Sequence, residues 1–254
     1  MNKQLIVGYI TQDDSEWLTL SLEAIQSIAD KIIIVDGGSD KSHLDRLDKF
    51  IDGNTKFVVV HSKYAGNNGL QYNTLLNEVM KHKTSDEDWL LVLDSDEVVD
   101  DNAHLLREYM DKDKSIYNIR MVHCVNNLRT VDATENGMPK FNPTFVHHVL
   151  ARFYKLRDGI YYPSNEHTII QGFTEPELGV IDDVTIWHYG KAKAMYDLKL
   201  KYEMNLGRSN IHQKPFLDWW YKSYLNGKYP VKELDKLNIH PSVIKREFYI
   251  GDEE

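Results

Sequence analysis

Four short apolar runs punctuate the first hundred residues: LIVGYI (5–10), KIIIV (31–35), KFVVV (56–60) and WLLVL (89–93). Runs this short, rich in β-branched residues and lacking an alternating polar face, predict strands covered on both sides. Helical spacing fills the gaps between them. Leu18, Leu22, Ile25 and Ile28 recur at that spacing behind the capping residues Asp14 and Ser15, and Leu44, Leu47, Phe50 and Ile51 behind Ser39. Tyr72, Leu76 and Val79 repeat the pattern a third time. Strand and helix alternating in this way predict right-handed crossovers and an α/β fold with a mainly parallel central sheet flanked by helices.

Beyond residue 100 the rhythm changes. YNIRMVHCV (117–125) and VLARFYKL (149–156) read as strands separated by a turn-rich stretch, DATENGMPKFNP (132–143), which suits a mixed or antiparallel addition to the sheet. A helical pattern from Ala192 to about Gly207 carries Met195, Leu198 and Tyr202. The remainder is rich in aromatics, among them Trp219, Trp220, Tyr221 and Tyr224. PFLDWWYKSYL (215–225) reads either as a platform for a sugar or base or as the packing of a last helix onto the core.

Composition narrows the function classes. At 254 residues, with 42% hydrophobic and 27% charged residues, the chain has the make-up of a globular protein with a substantial core. A net charge of −9 argues against a broad electrostatic surface for nucleic acid, and the local run Lys191, Lys193, Lys199 and Lys201 reads as a solvated helix face. Cys124 is the only cysteine, which excludes an intramolecular disulfide and a cysteine-based zinc site and fits a reducing compartment. The first apolar stretch is too short for the core of a signal peptide, and no later run approaches the roughly 20 apolar residues that span a bilayer. A cytoplasmic location without stable membrane insertion is expected.

The polar clusters collect at one edge of the expected sheet. Thr11, Gln12 and Asp13 follow the first strand, Asp36 to Ser39 the second, Asn67 and Asn68 the third, and Asp94 and Asp96 the fourth. Open α/β sheets bind ligands at these carboxyl ends, so a nucleotide-sized pocket is expected. There is no G-x-G-x-x-G after the first strand and no G-x-x-x-x-G-K-[ST], so bound phosphates need another means of neutralisation. Asp94 and Asp96 are two apart, a spacing at which both carboxylates can face one ligand from a strand end. Carboxylates in that arrangement suit Mg²⁺ or Mn²⁺ bridging to substrate phosphates; the alternative is an acidic turn ahead of a helix N-terminus.

The order of these motifs resembles that of the family-2 glycosyltransferases with a GT-A fold, from about residue 3 to residue 205. VGYITQDDSEWLTLSLEAI looks like the family's opening strand and helix, and IIIVDGGSDKS is similar to its D-D-G-S-x-D loop. GNNGLQYNTLLNEV is similar to its G-x-x-x-x-R-N segment, WLLVLDSDEVV to its D-x-D strand, LARFYKLRDGIYYPSNEHTII to its R-x-F-R and His-Glu pair, and IWHYGKAK to its late H-Y-G. The resemblance implies a GT-A domain over 1–205, with a nucleotide-binding half (1–100) and an acceptor half (101–205), and a helical extension packed on it over 206–254.

It also implies roles. Asp36 matches the acid that contacts the nucleotide base, although it could equally cap a helix; Thr11, Asn68, Asn73 and Ser95 fall in the donor-binding segments. Asp94 matches the first D-x-D acid, facing the ribose or donor sugar, and is expected to serve both as a metal ligand and as a catalytic residue. Asp96 matches the direct metal ligand, and His188 the late histidine that completes the metal site. Glu166 is the candidate base, but Asn165 stands where the family's histidine would be, and His167 or Glu97 could serve instead. Glu166 could also be a structural partner of Arg152. Gly37 replaces a second acid, and Gln71-Tyr72-Asn73 lacks the arginine before asparagine.

The function so implied is a metal-dependent transferase using Mn²⁺ or Mg²⁺. It would move a sugar from a nucleoside diphosphate donor, a UDP-sugar by preference, to a hydroxyl acceptor with inversion. The acceptor is left open among a glycan, a lipid-linked sugar, a protein and a modified nucleic-acid base. A sugar-phosphate nucleotidyltransferase and a non-catalytic carbohydrate-binding protein are the alternatives.

Overall fold

The computed structural model describes residues 3–13, 15–132, 151–163 and 170–192, and toward the C-terminus 203, 222–223, 226, 231–234, 236, 239–248 and 250. The four apolar runs form strands β1 (Leu5–Thr11), β2 (Lys31–Asp36), β3 (Phe57–His61) and β4 (Trp89–Asp94). They lie parallel in the order β3-β2-β1-β4. Successive residues face opposite sides of the sheet, so Val7, Ile32, Ile34 and Leu91 enter one core, and Ile6, Ile33, Leu90 and Val92 another. Cover on both faces is why these strands carry no polar alternation.

Helices α1 (Ser15–Ile25) and α2 (Lys41–Ile51) bury Leu18, Leu22, Ile25 and Leu47 in the first core. Helix α3 (Asn68–His82) buries Tyr72, Leu75, Leu76 and Val79 in the second. Its close seat on β1 depends on Gly8, where an added Cβ would lie 2.9 Å from Cδ2 of Leu75. The cap of α2 is Asp40 rather than Ser39: its carboxylate accepts the His43 N–H at 2.8 Å. Asn67 caps α3 by accepting the Leu70 N–H at 3.2 Å.

The second half adds the expected mixed strands. Strand β8 (Ala151–Lys155) runs antiparallel to β4, and β6 (Ile116–Val125) antiparallel to β8. Strand β7 (Asn127–Asp132) continues the sheet beyond β6. Besides β7, the three-residue β5 (Glu97–Val99) and the long β9 (Leu178–Lys191), which pairs antiparallel with β5 and parallel with β6, were not foreseen. A 3₁₀ turn (Asp101–Leu105) and the short α4 (Leu106–Tyr109) lead from β5 to β6. The described part of 206–254 holds a strand, β10 (Val231–Glu233), paired antiparallel with β7, and a helix, α5 (Ser242–Glu247). Ile244 of α5 is fully buried, and Phe248 stacks on Trp17 of α1 with ring centroids 5.5 Å apart.

Three expectations lie outside the described residues: the helix of 192–207 save Ala192 and Glu203, the aromatic segment 215–225 save Lys222 and Ser223, and the turn-rich stretch after Asp132. Among the described residues no helix is long and apolar enough to cross a membrane.

Candidate active site

Strand β4 does not run on into a helix. Ser95 and Asp96 form a two-residue turn, and the chain re-enters the sheet as β5 at Glu97. The Asp96 carbonyl accepts the Tyr189 N–H at 2.8 Å, which pins the turn to β9. From below, the Ser21 hydroxyl of α1 donates to the Glu97 carbonyl and accepts from the Tyr9 hydroxyl at 2.9 Å.

The three acids of this turn have separate environments. Asp94 accepts the Tyr72 hydroxyl at 2.6 Å and the Arg152 Nη2–H at 3.1 Å, with about a third of its side chain exposed (33%). Glu97 is buried, accepts Arg152 Nη2–H at 2.7 Å through Oε1, and accepts the Asp94 backbone N–H at 2.9 Å through Oε2. Burial pushes its pKa up to about 7, against the pull of Arg152 and with the help of the Asp94 charge. Asp96 is also buried, and its Oδ1 lies 3.3 Å from Nε2 of His188. Two of these like charges thus share a counter-ion within the chain, Arg152 serving Asp94 and Glu97, while Asp96 faces His188.

His188 sits on β9 between Glu97 of β5 and His123 of β6, all in register. Its Nδ1 lies 2.6 Å from Nδ1 of His123, the rings meeting edge to face at 87°. Burial, then the neighbouring His188 and Lys191, hold the His123 pKa well below the usual imidazole range.

A cleft of about 470 Å³ opens at the carboxyl ends of β1, β2 and β3, lined by Gln12, Asp36, Gly38, Ser39, His61 and Tyr64 among others. Asp36 is buried, which would raise its pKa. The hydrogen bonds it accepts from Ser39 N–H (3.0 Å), His61 Nδ1 (3.3 Å) and Gly38 N–H (3.2 Å) outweigh that and lower it. Asp36 therefore organises its own loop, helped by the positive φ of Gly38 (97°). The loop after β3 folds over this edge: Ser62 N–H donates to Asp36 O and Tyr64 N–H to Gly37 O, each at 2.8 Å. Gly37 leaves only tight space for the acid that the family pattern places there. A Cβ would stand 3.2 Å from Thr11 O and 3.3 Å from Tyr64 Cβ.

Asp36 at the end of β2 and the acid turn at the end of β4 stand on either side of β1, two strand spacings or roughly 10 Å apart. Between β1 and β4 the strand order reverses, since the chain crosses over β1 after β3. Ligands of open α/β sheets sit at such a switch point.

Comparison with known proteins agrees with this geometry. The sequence model of glycosyl transferase family 2 matches residues 11–174, well over half of the chain. The chain belongs to glycosyl transferase family 2. Among solved structures, it resembles Staphylococcus aureus TarS residues 1–349 with a TM-score of 0.52 and 14% identity, over 88% of this chain and 71% of that one. The same TarS fragment in complex with UDP matches with a TM-score of 0.50 and 13% identity, over 97% of this chain and 78% of that one. At such identity the likeness is one of fold, the GT-A glycosyltransferase fold. No curated protein sequence matches the chain.

Within this glycosyltransferase, the expected donor-binding residues divide. Asp36 lines the cleft, while Asp94, Ser95 and Asp96 share the acid turn with His188 beside it. Thr11 is buried beneath the cleft, its hydroxyl 3.5 Å from Nε2 of His43 and its carbonyl accepting the Gly37 N–H. Asn68 is exposed and accepts the Tyr64 hydroxyl at 2.7 Å, so it reaches the cleft through Tyr64. Both ends of the Asn73 amide hold the Tyr162 backbone, at 2.7 and 2.9 Å, which docks that segment against α3.

Glu166 and His167 lie outside the described residues. Arg152, weighed as a partner for Glu166, is held by Asp94 and Glu97. Glu97, the other alternative, is buried with both carboxylate oxygens engaged, one by Arg152 and one by the Asp94 N–H. Sequence reasoning missed His123, His61 and Tyr64. Helical or strand spacing carries no trace of them, since their partners stand 65 residues away for His123 and 25 for His61.

Proposed function

We propose that this glycosyltransferase moves the sugar of a nucleoside diphosphate donor, a UDP-sugar by preference, to a hydroxyl-bearing acceptor with inversion and with the help of Mn²⁺ or Mg²⁺. The observation that carries the reading is the pairing of Asp96 Oδ1 with His188 Nε2 at 3.3 Å, at the same carboxyl edge of the parallel strands as the Asp36 cleft. The likeness to a TarS structure holding UDP supports uracil as the base.

The side chains present fit such a cation. Among the described residues no group of three or more carboxylates, imidazoles and thiols gathers, but Mn²⁺ and Mg²⁺ need only one or two protein ligands and fill the rest with water and substrate phosphate. When bound, the cation neutralises the charge that develops on the diphosphate leaving group. Asp96 and His188 would hold it, and Ser95 would lie beside the diphosphate. Asp94, oriented by Arg152 and Tyr72, would accept a hydrogen bond from a donor-sugar hydroxyl through its exposed edge. Asp36 would accept the ring N–H of the base, and Glu166 would take the proton of the acceptor hydroxyl.

The test is release of nucleoside diphosphate from a panel of UDP- and GDP-sugars with Mn²⁺, with and without EDTA. Slow turnover of a UDP-sugar, lost in EDTA and reduced at least roughly 100-fold in Asp96→Asn, is expected from the several kcal/mol that such charge stabilisation supplies. Turnover unaffected by EDTA and by the substitution overturns the reading.

A further inference from the structure

Two imidazole nitrogens 2.6 Å apart cannot both carry a proton, nor can both present a lone pair. The contact between His123 and His188 therefore has a direction, and that direction sets what the far side of His188 offers. If His123 accepts at Nδ1, His188 donates its Nδ1–H and keeps a lone pair on Nε2, facing Oδ1 of Asp96 at 3.3 Å. If His123 donates, His188 carries its proton on Nε2 and can bond the Asp96 carboxylate but not a cation.

We infer that His123 is a positioning residue that accepts the Nδ1–H of His188 and thereby presents the Nε2 lone pair of His188, next to Asp96, to a divalent cation. The inference rests on the metal role proposed above for Asp96 and His188. Several features make the contact a built one. His123 and His188 are register partners on the parallel strands β6 and β9, so the backbone sets their separation. Glu97 is the register partner of His188 on the other side, and it is engaged by Arg152, which leaves His123 as the partner of the Nδ1 edge. The perpendicular ring arrangement, with centroids 4.8 Å apart, holds the rotation of the His188 ring. A ligating histidine characteristically spends its second nitrogen on such a partner, and loss of the partner costs about 10–100-fold in metal affinity.

The experiment is a Mn²⁺ titration followed by electron paramagnetic resonance in the presence of UDP, on the wild type, His123→Leu and His123→Gln. The glutamine side-chain oxygen can still accept the His188 proton, and leucine cannot. A loss of about 10–100-fold for leucine with near-native binding for glutamine is expected, with UDP affinity in the absence of metal unchanged in both. Native Mn²⁺ affinity in His123→Leu, or an equal loss in both variants, overturns the inference and leaves the metal role intact. Absence of Mn²⁺ binding by the wild type overturns both. Should the leucine variant not fold, nitrogen-15 spectra of the histidines in the Mg²⁺-loaded wild type decide the matter: a proton on Nδ1 of His188 supports the inference, and one on Nε2 refutes it.

Discussion

Arg152 is where the chemistry of the acid turn is balanced. It is buried, raised well above the usual guanidinium pKa by the Glu97 and Asp94 charges in spite of its burial, and shared between two carboxylates. Replacing it by alanine strands Glu97 in the interior and should cost about 3–5 kcal/mol, measured by urea unfolding. A loss below about 1 kcal/mol would mean that Glu97 is neutral without help. Gly37 sets a second constraint. Gly37→Ala should force Tyr64 and Gln12 apart at the cleft and weaken UDP binding while thermal stability changes little, a separation that calorimetry and a melting curve read together. The D-x-D spacing pointed to the acid turn, but no short-range signal pointed to Arg152 as its counter-ion. Asp94 and Arg152 are 58 residues apart, and only the antiparallel pairing of β4 with β8 brings them together.

At the scale of elements, the parallel half was legible because burial on both faces leaves an unmixed apolar signature in each strand. Strand β9 was not, because LGVIDDVTIWHYGK exposes Asp182 and Asp183 in mid-strand while burying Val184 to Trp187. The seating of α3 is a further element-level property. Gly8→Ala drives a methyl group into Leu75 and should destabilise the fold by about 1–3 kcal/mol, checked by denaturant unfolding. Ahead of β9, Glu177 is tied to Arg157 and to the Thr174 backbone, and those hydrogen bonds lower its pKa from 4.5 to about 2. A lowered folded-state pKa stabilises above the unfolded value and loses that contribution as pH falls through the folded one. The melting temperature of the wild type should therefore exceed that of Glu177→Gln at pH 6, and the two should converge as pH falls from about 4.5 toward about 2.

For the whole molecule, the four parallel strands bring Asp36 and the Asp94–Asp96 turn to one edge, and the mixed second half supplies Arg152, His188 and His123 to the same place. The division of labour follows from topology: β8 and β9 return beside β4 and β5, so residues far along the chain complete a site whose first half the early loops lay out. Family membership and the TarS-like fold agree with that plan. The most direct test of it is isothermal titration of UDP into the wild-type protein and into Asp96→Asn, with and without Mn²⁺. Tight UDP binding that needs both Mn²⁺ and Asp96 is the predicted result. UDP binding of equal strength with and without the metal, in both proteins, would contradict the account.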